Sequence, residues 1–423
     1  MDGRAKHTAV RQGFCCTRCT VLILLVFKRL PTFWTRGRIN TVPYHNSVFH
    51  DVLKLVPWWR LDDLTAEHGT QAEARTLSAK QHLIAMLYAQ LFGSAGLRSI
   101  ENGLLSHAAR LYHLGGATVK RSTLADANRQ RSPEVFAGLL GTLMAQARRG
   151  LRKSMQESLY LIDATVLPLN SLSKWAQFSQ DVHGAKAHVI YDPDADCPVY
   201  LSFTARSVND IIAAKTMPIQ TGATYVFDLG YYDFAWWNTL DEAGCRIVTR
   251  FKSHTPLEVI EARTIAGVGP ILSDRIGHLP KRQANSRKNP FQKPVREVQV
   301  RIETGKILRI LTNDLNATAQ EIADLYKRRW AIELFFRWVK QNLKIRKFLG
   351  TSQNAVRIQI TVALIAFLLL KMVHAAIKPA YSFLEFTRLV QGHLMDLARI
   401  DRLLPDPQAD LARTTTQLRL QWT

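Results

Sequence analysis

The chain has 423 residues, enough to bury a sizeable core and to form two or three domains. Its hydrophobic content of 47% is ordinary for a globular protein, but 56 Lys and Arg against 34 Asp and Glu give a formal net charge of +22. This excess favours a polyanionic partner, because basic side chains that meet phosphates release counterions. Nucleic acid is the leading candidate, ahead of an anionic membrane or a ribosome-like assembly. Five unevenly scattered cysteines argue against a disulfide framework and are typical of a reducing cytoplasm.

Two apolar runs could be membrane spans by hydropathy alone. Residues 1–30 imitate a signal peptide, but the run Cys19–Phe27 is short and is followed by Lys28 and Arg29 instead of small residues. We interpret residues 1–40 as an N-terminal extension of unassigned function. The run Val362–Leu370 is also too short to span a bilayer, so we expect a buried helix there and no membrane partner.

Residues 41–150 are predicted to form an all-α region. Apolar residues recur with helical period over Ser78–Phe92 and over Ile100–Leu114, and Ser122 or Thr123 is a candidate cap for a further, arginine-rich helix. The basic face fits a small DNA-binding module, but it also fits a helical domain whose charges are merely solvated. Both interpretations stay open.

After Gly150 the pattern changes from helical to alternating. Three strands are predicted, over 159–167, 185–191 and 197–204, followed by a helix, a strand ending at Asp228, a helix and a strand over 246–251. The turn Asp192–Asp196 resembles the start of a calcium loop but lacks the later features of one, so a hairpin is predicted. This order indicates an α/β fold with a mixed sheet over 151–252 and 314–380.

Residues 253–313 lack a core-helix pattern and are predicted to be a β-rich insertion. They contain the basic loop Lys281–Lys293 and a hairpin that turns at Gly305. The final segment, 381–423, is predicted to be a helical C-terminal region.

The segment Leu325–Lys344 is predicted to be one helix, with Thr318 or Asn316 as its cap, and its single acid is Glu333. At 100° per residue, one stripe about 80° wide carries six polar residues: Tyr326, Arg329, Glu333, Arg337, Lys340 and Lys344. One explanation for the presence of Glu333 among these basic residues is an ion pair with Arg329 or Arg337.

Two aspartates, Asp163 and Asp228, stand on predicted buried strands, where an unpaired carboxylate is costly. Taken singly, Asp163 could pair with an arginine, and Asp228 could cap the end of a strand. Together with Glu333 they could instead hold two divalent cations about 3.5 to 4 Å apart, as phosphodiester chemistry requires. Oxygen ligands favour Mg²⁺ or Mn²⁺ over zinc.

The spacing Tyr326-x2-Arg329-x3-Glu333-x6-Lys340 resembles the YREK signature of DDE transposases encoded by bacterial insertion sequences, those of the insertion sequence four family. The sequences Ile-Asp-Ala-Thr around Asp163 and Asp-Leu-Gly-Tyr after Asp228 are similar to that family's as well. The resemblance covers residues 155–350 and, less closely, 45–128. One departure is Leu229, where the family usually has a basic residue that could contact a phosphate.

The resemblance implies an RNase H-like (retroviral integrase superfamily) mixed-sheet core with a mainly β insertion, preceded by an all-α N-terminal domain. It implies that Asp163, Asp228 and Glu333 are the catalytic ligands of two Mg²⁺ (or Mn²⁺) ions. The DNA-binding candidates are Tyr326, Arg329 and Lys340 from the signature, Arg337 and Lys344 from the basic stripe, Lys186 from the second strand, and Lys281, Arg282, Arg287 and Lys288 from the basic loop. Trp236, Trp237 and Phe291 are candidates for stacking on a flipped base, although core packing is the favoured alternative for the two tryptophans.

The function expected from this resemblance is DNA transposition. Such an enzyme binds the terminal inverted repeats of its element, cleaves them with metal ions and joins the 3′-hydroxyl ends to target DNA. The expected partners are double-stranded DNA and a second copy of the chain, in the bacterial cytoplasm. Two alternatives remain: a nuclease with the same core that does not transfer strands, and a transposase-derived protein that only binds DNA.

Overall fold

The computed structural model describes residues 46–69, 77–152, 158–179, 182–265, 269–282, 287–343 and 348–403. The N-terminal extension 1–40, Lys344 and the end of the C-terminal region lie outside these residues.

Helices form the N-terminal part of the described chain. They are Val48–Leu53 (α1), Trp58–His68 (α2), Ala79–Phe92 (α3), Leu97–Ser106 (α4), Ala108–Leu114 (α5), Arg121–Gln130 (α6) and Glu134–Leu151 (α7). The sequence sets both ends of α3: Ser78 and Gln81 exchange capping hydrogen bonds at its start, and Gly93 adopts a left-handed conformation with φ +74° at its end.

Two local predictions in this region were wrong. The helix predicted over Ile100–Leu114 is broken at His107, whose φ of −111° and ψ of 19° are not helical. The break lets α4 contact α6 while α5 contacts α1, so each half buries its own apolar side chains on a different neighbour. Helix α6 begins at Arg121 after Lys120, so Ser122 and Thr123 lie inside the helix and neither caps it.

A mixed sheet follows the helices. Its strands are Leu159–Leu169 (β1), His183–Asp192 (β2), Cys197–Ala205 (β3), Thr224–Phe227 (β4), Arg246–Arg250 (β5), Glu258–Ala262 (β6), Ile271–His278 (β7), Val295–Arg301 (β8) and Ile307–Thr312 (β9). In space their order is β3-β2-β1-β4-β5-β9-β8-β7-β6. Strand β2 pairs antiparallel with both β1 and β3, whereas β4 pairs parallel with both β1 and β5. Short helices Asp210–Ala214 (α8) and Phe234–Glu242 (α9) connect them, which is the arrangement of an RNase H-like core.

The β-rich segment does not form a separate sheet. Strand β9 pairs antiparallel with β5, and β8, β7 and β6 extend the same sheet outward. Within it, Arg296 donates two hydrogen bonds of 2.7 Å to Asp274, and both side chains are almost fully buried. This bidentate pair compensates charges that would be costly to bury alone.

The helix predicted over Leu325–Lys344 is two helices, Ala319–Arg328 (α10) and Trp330–Asn342 (α11). The predicted cap Thr318 is confirmed, since its side chain accepts from the Glu321 N–H. Around Arg329 the backbone switches to i→i+3 hydrogen bonds, which tighten the turn. The stripe drawn for an uninterrupted helix therefore fails at Tyr326, which is buried with 8% of its surface exposed.

The predicted buried helix is Gln353–Ile377 (α12), and the short helix Phe383–Gly392 (α13) packs beside it. By length and composition α12 could cross a membrane, but most of its side chains are buried against α7, α3 and α6. It is a core helix that joins the N-terminal helices to the rest of the chain.

The β2–β3 turn is a hairpin, as predicted, and its aspartates form ion pairs with basic side chains of the helices. Asp192 pairs with Arg148 of α7, Asp194 with Arg328 of α10 and Asp196 with Lys371 of α12. Because these bases belong to three different helices, the turn ties α7, α10 and α12 to one corner of the sheet.

We expect Asp192→Ala to destabilise the protein by about 2 to 4 kcal/mol. Asp192 is fully buried, accepts from the Asp194 and Ala195 N–H groups and receives Arg148 at 3.2 Å, so the change removes the acceptor of two backbone N–H groups together with the carboxylate partner of Arg148. Urea unfolding followed by circular dichroism measures the loss. The control, Asp194→Ala, removes a more exposed pair and should cost less than about 1 kcal/mol. Equal losses would contradict this account.

Candidate active site

The sheet register brings Asp163 and Asp228 together. The last pair of the parallel strands β1 and β4 joins Leu161 to Val226, and each aspartate lies two residues further along the chain. Neighbouring strands are about 4.8 Å apart, so the two carboxylates are neighbours at the carboxyl end of β4. The side chain of Asp228 is held by the Gly230 N–H, 2.8 Å from Oδ1.

Helix α11 brings Glu333 to the same edge. The helix packs against β1 through its apolar face, which includes Ile332 and Phe336, and Glu333 lies beside this face with part of its surface exposed. Arg329 lies between the acids: it donates a hydrogen bond to Glu333 Oε1, and its Nη1 is 3.9 Å from Asp163 Oδ2. One guanidinium group therefore bridges two of the three predicted metal ligands.

The three acids affect one another electrostatically. Burial raises the pKa of the Asp163 carboxyl to about 7, and the negative charges of Asp228 and Glu333 add to this effect. A hydrogen bond from the Ala164 N–H and the nearby Arg329 act in the opposite direction. The site consequently gathers more negative charge than a single arginine neutralises.

A cleft of about 330 Å³ opens in front of these carboxylates. Its lining consists of Asp163, Ala164, Thr165, Glu333, Phe336, Arg337, Lys340 and Gln341. Two of the predicted DNA-binding bases, Arg337 and Lys340, thus lie at the same cleft as two of the acids. Tyr326 does not line it, but its ring lies beneath the Arg329 guanidinium at 5.7 Å.

The donor set suits a hard divalent cation, since all three candidates are carboxylates. Within the described ranges, no three acidic, histidine or cysteine side chains converge closely enough to hold a metal ion as they stand. The contacts of Arg329 explain this, because its guanidinium occupies the space between Asp163 and Glu333. A metal ion held by both carboxylates would require this guanidinium to withdraw.

The remaining DNA-binding candidates have mixed surroundings. Lys186 is engaged within the protein, donating to the Val208 carbonyl and to Asp210. The loop bases Lys281, Arg282, Arg287 and Lys288 are exposed, and Arg287 lies 3.7 Å from Asp233.

The aromatic residues proposed for base stacking are buried. Trp236, Trp237 and Phe291 expose 4% or less of their surface, which confirms the core packing favoured for the two tryptophans and contradicts a stacking role for Phe291. Trp236 and Trp237 pack with Phe227, and the Trp237 indole donates to the Tyr231 carbonyl.

The sequence interpretation overlooked one exposed aromatic residue. Trp330 lies one turn before Glu333, exposes 49% of its surface and has the Arg337 guanidinium over its ring at 5.7 Å. Its position next to Arg329, off the apolar stripe of α11, was the available signal.

The part of the chain that contains the three acids matches a known protein family. The transposase DDE domain model matches residues 154–369, which include all three acids. The chain belongs to the DDE transposase family. The predicted resemblance to bacterial insertion-sequence transposases and the RNase H-like fold are thereby confirmed, and such enzymes depend on divalent metal ions. The YREK subtype stays a prediction.

Individual relatives carry similar descriptions. The chain is 41% identical to the putative transposase y4zB of Sinorhizobium fredii (strain NBRC 101917 / NGR234), over 67% of this chain and 80% of the relative. It is 28% identical to the probable transposase for insertion sequence element IS5377 of Geobacillus stearothermophilus, over 63% of this chain and 72% of that relative. A domain of unknown function, DUF4372, matches residues 44–117, which contain α1 to α5.

A solved structure of the piggyBac transposase synaptic complex with hairpin DNA is a distant neighbour. It covers 87% of this chain and 83% of its own, at 12% identity and a TM-score of 0.39. That likeness is too distant to support a conclusion.

The pKa of Asp163 leads to a testable effect on stability. The carboxyl is harder to ionise in the folded chain than in the unfolded chain, so ionising it costs stability as pH rises from 3.8 to about 7. In the presence of a metal chelator, Asp163→Asn should therefore have a free energy of unfolding higher than that of the parent at pH 8 by on the order of 1 to 3 kcal/mol. At pH 4 the difference should be much smaller.

Thermal unfolding in EDTA at both pH values measures this difference. Asp194→Asn, which removes a carboxylate outside the cleft, serves as the control and should show no gain at pH 8. A stability difference between parent and Asp163→Asn that does not change with pH would refute the assigned cause.

Proposed function

We propose that this transposase binds the terminal inverted repeats of its element, cleaves a phosphodiester bond at each end with two divalent metal ions, and transfers the freed 3′-hydroxyl groups to target DNA. The observation that carries the proposal is the meeting of Asp163, Asp228 and Glu333 at one edge of the sheet, beside a cleft lined by Arg337 and Lys340.

The proposed metal ligands are Asp163, Asp228 and Glu333, and the proposed ions are Mg²⁺ or Mn²⁺. Two such ions would activate the attacking oxygen and stabilise the leaving oxygen. The chain's own part is to hold the three carboxylates on rigid elements. Asp163 belongs to the central strand β1, Asp228 is fixed by the Gly230 N–H, and Glu333 projects from α11.

Arg329 is proposed to act as a counter-ion before the metal ions bind. Its guanidinium bridges Asp163 and Glu333, and a phosphate of the bound strand offers it an alternative anionic partner. Exchange of carboxylate for phosphate would release the acids for the cations and fix the DNA at the same time. Tyr326, whose ring lies under the guanidinium, would guide this movement.

The basic residues around the cleft are proposed to hold the DNA backbone. Lys340 and Arg337 line the cleft itself, and the exposed bases Lys281, Arg282 and Lys288 lie on the β-rich segment. The N-terminal helices α1 to α7 are proposed to bind the terminal repeats. Concerted cutting of two ends calls for a homodimer, and DNA substrates place the enzyme in the bacterial cytoplasm.

One reconstituted reaction tests the whole proposal. Purified protein, Mg²⁺, labelled DNA carrying the terminal repeats and a supercoiled target plasmid should yield cut ends and labelled plasmid. Cut ends without labelled plasmid would indicate a nuclease that does not transfer strands. Binding without cutting would indicate a protein that only binds DNA.

We expect Glu333→Gln to reduce both cleavage and strand joining at least about 1,000-fold, because it removes a metal ligand while keeping the shape of the side chain. DNA affinity without metal should stay within a few-fold of the parent. The matched control is Glu321→Gln, which alters an exposed, arginine-paired glutamate at the start of α10 and should leave cleavage unchanged. Retained cleavage by Glu333→Gln would remove this residue from the metal site.

Lys340→Ala should weaken binding to duplex DNA and lower the slope of log affinity against log salt by about 0.9, as expected for one lost phosphate contact. Fluorescence anisotropy between about 50 and 200 mM salt measures the slope. Lys327→Ala, which removes an exposed charge from α10 outside the cleft, is the control. Identical slopes for Lys340→Ala and the parent would exclude a backbone contact.

A further inference from the structure

A fourth acid lies behind the proposed metal ligands. Asp210 is the first residue of α8, which packs against the 3-10 turn Leu229–Tyr231 that follows Asp228. Gly230 lies between the two aspartates. A Cβ atom at Gly230 would be 3.0 Å from Asp228 Oδ1 and 3.3 Å from Asp210 Oδ2, so these oxygens are separated by no more than the sum of those distances.

Asp210 is held from one side only. The Lys186 ammonium donates to its Oδ1 at 2.8 Å and to the Val208 carbonyl at 2.9 Å, and the buried His188 Nδ1 lies 3.9 Å from the same Oδ1. Over the described residues, Oδ2 receives no hydrogen bond, although it faces the turn that carries Asp228. One oxygen is therefore fixed while the other is available to a ligand.

A second polar group in the same place lacks a partner. The Tyr231 hydroxyl is buried, and no described residue forms a hydrogen bond with it. Burial, followed by the negative charges of Asp163, Asp210 and Asp228, raises the pKa of this hydroxyl well above its usual value. It therefore keeps its proton and remains a donor, on the turn that follows Asp228 and that α8 packs against.

We propose that Asp210 is a positioning residue of the catalytic centre, and that its Oδ2 would accept hydrogen bonds from the water ligands of a metal ion held by Asp228. Lys186 fixes the carboxylate in this orientation, and the Tyr231 hydroxyl would be a further hydrogen-bonding partner for the same water ligands. The inference rests on the proposed metal-dependent function and adds a residue that the three-acid set does not contain. Magnesium ions in proteins keep several water ligands, so partners of those waters contribute to affinity.

A purely structural role explains fewer of these observations. An ion pair between Lys186 and Asp210 would by itself anchor α8 to β2. It would not account for the open Oδ2 or for the unpaired Tyr231 hydroxyl. A hydrated cation beside Asp228 accounts for both, whereas the glycine is required in either case because a side chain there would press on both carboxylates.

The test measures Mn²⁺ binding to the full chain by electron paramagnetic resonance, without DNA and independently of activity. Asp210→Asn keeps the size of the side chain and an oxygen for Lys186, but it removes the charge. Its affinity for Mn²⁺ should fall about 10- to 100-fold. Tyr231→Phe, which removes only the hydroxyl, should weaken binding in the same direction by a smaller factor and gives a second reading if Asp210→Asn does not fold.

Cleavage supplies a second readout. Raising Mg²⁺ should restore cleavage by Asp210→Asn towards that of the parent, whereas Glu333→Gln should not recover. Asp194→Asn, which removes a similarly exposed, arginine-paired carboxylate at the β2–β3 turn, should bind Mn²⁺ like the parent.

The outcomes separate this inference from the proposed function. Unchanged Mn²⁺ affinity in Asp210→Asn and Tyr231→Phe, with a loss in Asp228→Asn, would overturn the role of Asp210 alone. Unchanged affinity in Asp228→Asn as well would overturn the metal site itself. A loss in Asp210→Asn that Asp194→Asn shares would also count against the inference, because it would then reflect charge in general.

Discussion

Repulsion between carboxylates at one edge of the sheet is the constraint on which this site depends. Asp163 and Asp228 are brought side by side by strand register, and Glu333 is added from α11. Such acids are useful only when close together, yet their closeness adds to the effect of burial in raising the pKa of Asp163. In the structure, Arg329 supplies the compensating positive charge.

The scaffold around the site is built to withstand that repulsion. Asp163 lies on β1, which has a partner strand on either side, and the short strand β4 is likewise enclosed by β1 and β5. The β2–β3 turn ties this part of the sheet to α7, α10 and α12 through Arg148, Arg328 and Lys371. Because α10 leads directly into α11, the pair formed by Arg328 also limits how far Glu333 can move from β1.

The sequence singled out the three acids, although each taken singly also allowed an ion pair or a cap, and their role as metal ligands stays a prediction. A single carboxylate inside an apolar strand pattern is costly unless it has a partner, and this reasoning applied to Asp163 without any structure. The position of Tyr326 was not predictable in this way, since a helical wheel assumes an unbroken helix and the backbone tightens at Arg329. Burial of Trp236 and Trp237 depends on contacts with Phe227, which periodicity does not reveal.

Contacts between residues far apart in the chain were the other feature that could not be predicted from the sequence. Lys186 was a plausible DNA contact as an isolated base, but its partner Asp210 lies 24 residues further along the chain, on a short helix that follows β3. A single sequence contains no signal for that pairing. Asp210 was overlooked for the same reason, because nothing in the residues around it distinguishes it from an ordinary acid at the start of a helix.

The bridging position of Arg329 has a thermodynamic consequence for the proposed mechanism. Any phosphate that draws the guanidinium away leaves Asp163 and Glu333 without their counter-ion, and it thereby raises their affinity for cations. Linkage is reciprocal, so bound cations must raise the affinity for that phosphate by the same factor. A site of this kind holds its metal ions most tightly when DNA is in place, because the arginine competes with the metal for the carboxylates only when no phosphate is bound.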